Sequence, residues 1–563
     1  MICFAVGAWL APSHLVDGDN AEFATLGAVG GVAHPSGYPL YVLWLRALSW
    51  LPGTPAHASA VATALLGTIA VLVLHAACRA WGARASAATI TVAMFAAAPV
   101  VLRIHSEAEV FALNGLVVAA VLWLAAARGP LRGEWRAVVL ALVAGLGLAN
   151  HLTCVLIAPV GLLGVIRGAR EANRRVLAIG GAAAGFFVGL LPYAYVFVAP
   201  HEASWGSVAS FGDLVDLITR SDYGGAGAFA AHGRSVSLGE SFAAFAMMLG
   251  RTWWWVFPIA GLAMLIVRSV RPSDGEPRIG WAMLGASWLL AGPILVSRFN
   301  VVPEGLGLYV CQRFYVLPAL LLAIPIATAF DAAVRKISGK AESPIVAGVL
   351  GVVIFLGLAA SSLPYLSRVH SPAVHYGVTN LLGSLPDDAV VIGIADDQLF
   401  GIRYAQLALE LRRDVTYVHW PMVKLPWYRE RLAEHGVVIK PGPRASVDLA
   451  DALIASGRPV FVDNSTRVVN FAGRATYPHG IVHRVVARDD KPPPLGEVVE
   501  RNKQLFASFE LGYPFPGIDD EWATEVHHRY ANTWYLLERA LLGARDLANA
   551  QAAADIARQV GPQ

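Results

Sequence analysis

Ile345-Val-Ala-Gly-Val-Leu-Gly-Val-Val-Ile-Phe-Leu-Gly-Leu-Ala-Ala-Ser-Ser-Leu363 runs for nineteen residues without a charge. At about 1.5 Å per helical residue such a run nearly crosses the roughly 30 Å of bilayer hydrocarbon. A soluble helix is seldom apolar on every side for that length. Val61–Cys78 and Ala85–Leu102 repeat the pattern. Over 563 residues the chain is 56% hydrophobic and only 15% charged, where soluble domains carry about a quarter charged. The net charge of +3 is too small and too scattered for a nucleic-acid partner. Cys3, Cys78, Cys154 and Cys311 show no paired spacing, so neither a disulfide framework nor a zinc site is expected. Met1–Pro12 is apolar but short and lacks a basic start, so it reads as neither a signal peptide nor a full span.

Working outward, apolar segments are expected to span at 1–15 (a short first helix), 58–78, 85–102, 110–127, 137–149, 152–166, 176–199, 243–267, 280–297, 314–331 and 344–365. Basic residues then orient them. Arg79 and Arg84, Arg128 to Arg136, Arg167 to Arg175, Arg268 to Arg278, and Arg335, Lys336 and Lys340 occupy every second loop. By the positive-inside rule those loops face the cytoplasm. The remaining loops, and everything after Ser367, face away from it. In a bacterial inner membrane that side is the periplasm.

After Ser367 the periodicity changes. Strands are expected at 389–394, 414–419, 459–462 and 480–487, with helices at 398–411, 427–434 and 447–455. That alternation implies an α/β layer with a mostly parallel sheet. Lys491-Pro-Pro-Pro494 separates it from a helical tail, in which 534–542 and 546–558 could pair as one hairpin resembling a tetratricopeptide unit. The expected organisation is a membrane domain at 1–366, a soluble α/β domain at 367–490 and a helical tail at 491–563. Asp396-Asp397, at a strand end before a helix, marks either a ligand edge or a helix cap.

The first non-cytoplasmic loop carries the densest chemistry. Asp17-Gly-Asp19-Asn-Ala-Glu22 places three carboxylates at the mouth of a spanning helix, where they need water, a partner or a function. Asp19 and Glu22 also have the spacing of a helix cap. His34-Pro-Ser-Gly-Tyr38-Pro is stiffened by two prolines and turned by Gly37, which suits it to hold His34 and Tyr38 in place. The alternative for this stretch is an aromatic belt of Tyr38, Tyr41 and Trp44. His105-x-Glu107-x-Glu109 offers one imidazole and two carboxylates, a donor set suited to a divalent cation. Acidic residues at a helix start also complement the helix dipole, so the cation stays an alternative and no cofactor is assigned.

Asp19-x-x-Glu22-Phe23 followed by Gly31-Val-Ala-His34-Pro35-x-Gly37-Tyr38-Pro39-Leu40-Tyr41 resembles the opening signature of DUF2723, a family of multi-spanning membrane proteins related to protein O-mannosyltransferases. The resemblance continues through Ala108-Glu109-Val110-Phe111 to Asn114, where Phe111 replaces the usual tyrosine. It extends to Gly145 through Asn150-His151-Leu152-Thr153, to Trp205-Gly206 with Arg220 and Tyr223-Gly224, and to Gln312-Arg313-Phe314-Tyr315. Ser36 stands where a second proline is common, and Ala21 where glycine precedes the glutamate. The resemblance implies a polytopic α-helical bundle of the GT-C glycosyltransferase class, here about eleven spans with a C-terminal extracytoplasmic α/β domain. It implies a polyprenyl-phosphate-linked sugar as donor and a protein, glycan or glycolipid hydroxyl as acceptor. Asp19 aligns with the presumed catalytic aspartate, with Glu22 beside it. His34, Tyr38, His105, Glu109, His151, Arg220 and Arg313 are the expected substrate-binding residues, with Arg298 a further phosphate candidate by location.

Overall fold

The computed structural model describes the chain except residues 226–234, 272–274, 339–342, 443, 465–470 and 518–521. Lys340 and part of the loop after Pro200 therefore lie outside the described residues. The chain divides into two compact units. The first comprises Met1–Pro12, Gly30–Gly53 and His57–Leu366; the second comprises Ser13–Val29, Thr54–Ala56 and Ser367–Gln563.

The first unit is helical. Among the described residues of the chain, five helical stretches are long and apolar enough to cross a bilayer: Pro55–Ala80, Leu152–Glu171, Arg175–Phe197, Gly305–Arg335 and Ile345–Ser384. Two bent pairs bring the number to seven, against the eleven spans expected. The segments expected at 1–15, 110–127, 137–149 and 280–297 form helices too short to reach that length: Ile2–Leu10, Phe111–Ala125, Gly133–Leu148 and Arg278–Leu289.

Both bends have a local cause. Ala85–Ala97 and Pro99–Ser106 meet at 71°, where Pro99 interrupts the backbone hydrogen-bond ladder. Leu238–Trp253 and Val256–Val270 meet at 100°, so the single span expected at 243–267 is two helices at a corner. Trp254 and Trp255 take left-handed φ of 57° and 52° there. The Trp255 ring folds onto Gly250, where a Cβ would approach it within 2.3 Å. Aromatic content in an apolar run disguised a turn as a span.

Close helix packing follows from small residues, as inside a bilayer, where backbones must approach without a hydrophobic drive. Helices Gly133–Leu148 and Arg175–Gly189 meet so tightly that a Cβ on Gly145 would lie 2.2 Å from the Phe186 carbonyl, and one on Gly189 2.3 Å from that of Leu142.

The second unit holds a five-stranded sheet in the order β2-β1-β3-β5-β4. The strands are β1 (Val390–Gly393), β2 (Thr416–His419), β3 (Val460–Asp463), β4 (Thr476–His479) and β5 (Val482–Val485). β2, β1 and β3 are parallel, whereas β5 and β4 form an antiparallel hairpin. β4 has no counterpart in the sequence reading because Thr-Tyr-Pro-His is neither alternating nor apolar. It is an edge strand, the place where a sheet tolerates proline. The tail forms helices Leu495–Ser508, Trp522–Gly543 and Leu547–Val560.

Helix Gly18–Val29, which carries the first-loop acids, belongs to this second unit and packs on helix Asp396–Leu407. The approach is close at Gly18, where a Cβ would sit 3.4 Å from the Asp396 carbonyl.

Candidate functional site

The long helix Gly305–Ser338 organises the first unit. Arg313 and Asp331 stand eighteen residues apart on it, about 27 Å along a helix axis and close to the thickness of bilayer hydrocarbon. Around Asp331 the basic loops meet. Arg84 and Arg335 both reach its carboxylate, at 2.5 and 2.8 Å. Arg136 pairs with Glu171 at 2.9 Å, Arg167 with Glu276 at 2.5 Å, and Trp81 lies edge-on to Trp281.

Around Arg313 the motif loops meet. The stretch before His34 is fixed by backbone bonds: Val32 N–H to the Ser204 hydroxyl at 2.9 Å, and Trp205 N–H to the Val32 carbonyl at 2.7 Å. Gly37 turns the chain at φ +87° against Leu217. The Tyr38 hydroxyl lies 3.3 Å from His34 Nε2, and its ring stacks on His151 with centroids 5.6 Å apart. His151 touches Phe111 and Phe314, at 4.7 and 6.0 Å. Arg313 donates to Glu109 at 3.0 Å and lies 5.7 Å from the Tyr309 ring centre. Trp205 stacks on Tyr223 and donates its Nε1–H to Asp222 at 2.9 Å. Arg220 crosses the Tyr223 ring at 5.4 Å.

His34, Tyr38, Glu109, His151, Arg220 and Arg313 are thus assembled from separated motifs. His105 is not bonded to this group among the described residues; its ring packs on Gly67, where a Cβ would meet it at 2.4 Å. Arg298 is exposed. Glu107 accepts from the Tyr309 hydroxyl at 3.1 Å and Glu109 is paired with Arg313. Among the described residues no three His, Cys, Asp or Glu side chains gather as a metal site.

Arg103 stands one residue past the span expected at 85–102. It lies instead in helix Pro99–Ser106, fully buried, with its guanidinium 3.8 Å above the Tyr309 ring and donating to the Tyr365 hydroxyl at 2.9 Å. The signal was available: an ionisable residue continuous with an apolar helix marks function more often than packing.

In the second unit the helix-capping reading of Asp19 is corrected. The Asn20 N–H donates to Asp17 Oδ1 at 2.6 Å, and the Val16 N–H to Asn20 Oδ1 at 3.3 Å. The cap is the Asp17/Asn20 pair, because the helix starts at Gly18; Asp19 lies in its first turn. Glu22 is buried. At the carboxyl ends of the parallel strands, Asp397 is held by both terminal nitrogens of Arg529, at 2.7 and 2.8 Å. Burial alone would lower the Arg529 pKa; the Asp397 charge more than offsets it, and the pKa is raised. Asp397 therefore ties the tail to the sheet.

Residues 19–173 match the family described as the protein O-mannosyl-transferase TMEM260 N-terminal domain. The chain is similar to protein O-mannosyl-transferase TMEM260 of Mus musculus, 24% identical over 451 residues that cover 77% of this chain and 63% of that one. It is 20% identical to the Dictyostelium discoideum protein of that name over 507 residues, 79% of this chain and 60% of that one. It spans about six tenths of the length of these relatives. Among solved structures, ArnT from Cupriavidus metallidurans bound to undecaprenyl phosphate superposes with a TM-score of 0.51 at 16% identity, covering 87% of this chain and 98% of that one. The fold is ArnT-like. The apo form of ArnT agrees, with a TM-score of 0.52 at 14% identity. The ArnT-like fold and the apolar helices make the chain an integral membrane protein.

Proposed function

We propose that the protein is a membrane glycosyltransferase that moves a sugar, mannose by analogy with its named relatives, from a polyprenyl-phosphate carrier to a hydroxyl of a protein, glycan or glycolipid. The observation that carries this reading is the group around Arg313. Two arginines, two histidines and a set of aromatic faces come together from five separated motifs, and that combination suits a phosphate joined to a sugar ring. The end of the bundle holding this group lacks the arginine-rich loops, so by the positive-inside rule it faces away from the cytoplasm, the periplasmic side in a bacterium.

In the proposed reaction the acceptor hydroxyl oxygen forms a bond to the anomeric carbon as the bond from that carbon to the phosphate oxygen breaks. Direct displacement inverts the anomeric centre. The resemblance assigns removal of the hydroxyl proton to Asp19 as general base and orientation of the acceptor to Glu22. The charge left on the departing phosphate is met by Arg313 and Arg220, with neutral N–H donors beside them.

The test is transfer from a radiolabelled mannosyl polyprenyl phosphate in membranes carrying the full chain, with Asp19→Asn alongside. General-base loss lowers rates by roughly 10²- to 10⁴-fold, and that is the expected fall. Equal transfer by both proteins removes the assignment of Asp19. Donor binding by the wild type with no transfer points to a flippase or an assembly scaffold and overturns the enzymatic reading.

A further inference from the structure

His151 begins the short helical turn after Asn150, and its two ring nitrogens have different surroundings. Nδ1 lies 3.1 Å from the Thr153 backbone N–H and 2.8 Å from the Thr153 hydroxyl. A backbone N–H can only donate, so Nδ1 must be the unprotonated, accepting nitrogen. The Thr153 hydroxyl in turn accepts from Asn114 Nδ2 at 3.1 Å, which leaves its own hydrogen to point at Nδ1. The Thr153 backbone N–H is enough to fix the tautomer, and its hydroxyl, held by Asn114 from a separate motif, adds a second bond that positions the ring. Nε2 then carries the hydrogen. It has no hydrogen-bond partner among the described residues.

The ring itself is held between Tyr38 and Phe111, and only 8% of the residue is exposed. Burial, and then the positive charges of Arg220, His34 and Arg313 that bear on the ring, push its pKa down to about 3. An imidazole with these neighbours stays neutral throughout the range in which histidine ordinarily titrates. A second proton on Nδ1 would displace the bond from Thr153 as well as add charge beside two arginines.

We propose that His151 is a locked, neutral hydrogen-bond donor whose Nε2–H is delivered to an acceptor oxygen of the glycosyl phosphate, and that it takes no proton from the acceptor. The ligand half of this rests on the glycosyltransferase reading above; the tautomer half does not. A donor that never titrates suits an oxygen that only accepts, such as a phosphate or glycosidic oxygen. It does not suit a hydroxyl whose proton must be removed. Histidine is thereby separated from the base role given to Asp19. The same geometry makes Asn114 and Thr153 positioning residues that act through His151.

The experiment uses full-length protein labelled with ¹⁵N at histidine and reconstituted in nanodiscs, with the His151 signals identified by their loss in His151→Gln. The expected spectrum shows a protonated Nε2 and a bare Nδ1, unchanged from about pH 5.5 to 8. Addition of mannosyl undecaprenyl phosphate should shift the Nε2 signal. A protonated Nδ1, or a titration midpoint within that range, overturns the locked donor. His151→Phe keeps an aromatic ring but removes the donor, and should weaken binding of that lipid by roughly tenfold or more. His151→Gln can still donate and should recover most of the loss; equal binding by the Phe variant and the wild type overturns the ligand half. Thr153→Val keeps the backbone N–H and should leave the tautomer unchanged. If the wild type binds neither mannosyl undecaprenyl phosphate nor undecaprenyl phosphate, the glycosyltransferase reading fails and the ligand half with it. The tautomer measurement still decides the other half.

Discussion

The two ends of helix Gly305–Ser338 use the same residue types for different ends. At Asp331 the arginines are matched to carboxylates: Arg84 and Arg335 to Asp331, Arg136 to Glu171, Arg167 to Glu276. At Arg313 the carboxylate pair persists, but the guanidiniums also lie against rings: Arg103 over Tyr309, Arg220 over Tyr223. Nearby are His34, Tyr38 and His151, whose rings pack against one another. An arginine satisfied by acids alone anchors a bundle. An arginine set among aromatic faces and neutral donors keeps a surface on which an anion can be exchanged.

Removing the acid that joins two arginines should break the first end most severely. Asp331→Ala takes the shared carboxylate from Arg84 and Arg335, whose side chains are 21% and 57% exposed, so the cost should fall below the about 3–5 kcal/mol of breaking a fully buried pair. The expected outcome is a marked fall in the melting temperature of the detergent-solubilised protein, with transfer per folded molecule unchanged. An intact melting temperature would mean that the Asp331 network is ornamental, and the contrast between the ends would fail.

A conservative exchange made at both ends separates anchoring from recognition. Lysine keeps the charge of arginine but not its planar, forked donor set. Arg84→Lys should be nearly silent in stability and transfer. Arg313→Lys should leave the fold in place and lower transfer by about tenfold to a hundredfold, as the loss of an oriented donor to a developing charge does. Equal effects at the two positions would erase the distinction.

Much of this contrast was legible in the chain. Alternating basic loops identify the set that meets around Asp331, and the motifs containing His34, His151 and Arg313 identify the set that meets opposite. The structure sorts the loops of the first unit in the same way. What stayed hidden depended on backbone geometry that composition does not carry. The corner at Trp254 and Trp255 reads as continuous apolar helix until both residues turn to positive φ. Asp17/Asn20 and Asp19/Glu22 are overlapping pairs of equal spacing, and only the start of the helix at Gly18 decides which one caps it. Arg103 falls outside the expected span because its charge ends the apolar run, yet the helix continues through it. Its burial is offset by Tyr309 and Tyr365, both more than two hundred residues away in sequence. β4 was missed because an edge strand need not alternate.

Tyr309 tests how far the ring contacts matter at the Arg313 end. Tyr309→Phe keeps the face beneath Arg103 at 3.8 Å and removes the hydroxyl that donates to Glu107 at 3.1 Å. A hydrogen bond to a charged group is worth about 1.5–3 kcal/mol. A stability loss in that range, with transfer reduced only severalfold, would assign the ring to the arginine and the hydroxyl to the acid. Tyr309→Leu should lose both and cost more in each measurement.

Trp205 gives the smallest and sharpest comparison, because its ring and its N–H serve different neighbours. The ring stacks on Tyr223 at 5.8 Å, and Nε1–H reaches Asp222 at 2.9 Å. Trp205→Phe retains a stacking face but removes the N–H that Asp222 accepts, and should cost about 1–2 kcal/mol of stability with transfer close to normal. Trp205→Ala also removes the support under Tyr223, on which Arg220 rests. It should therefore weaken lipid-phosphate binding as well as stability, although no phosphate contact is altered directly. If Phe and Ala at this position weaken binding equally, the aromatic faces do not hold the arginine in place. The feature that distinguishes this end of the helix from the other would then be the N–H alone.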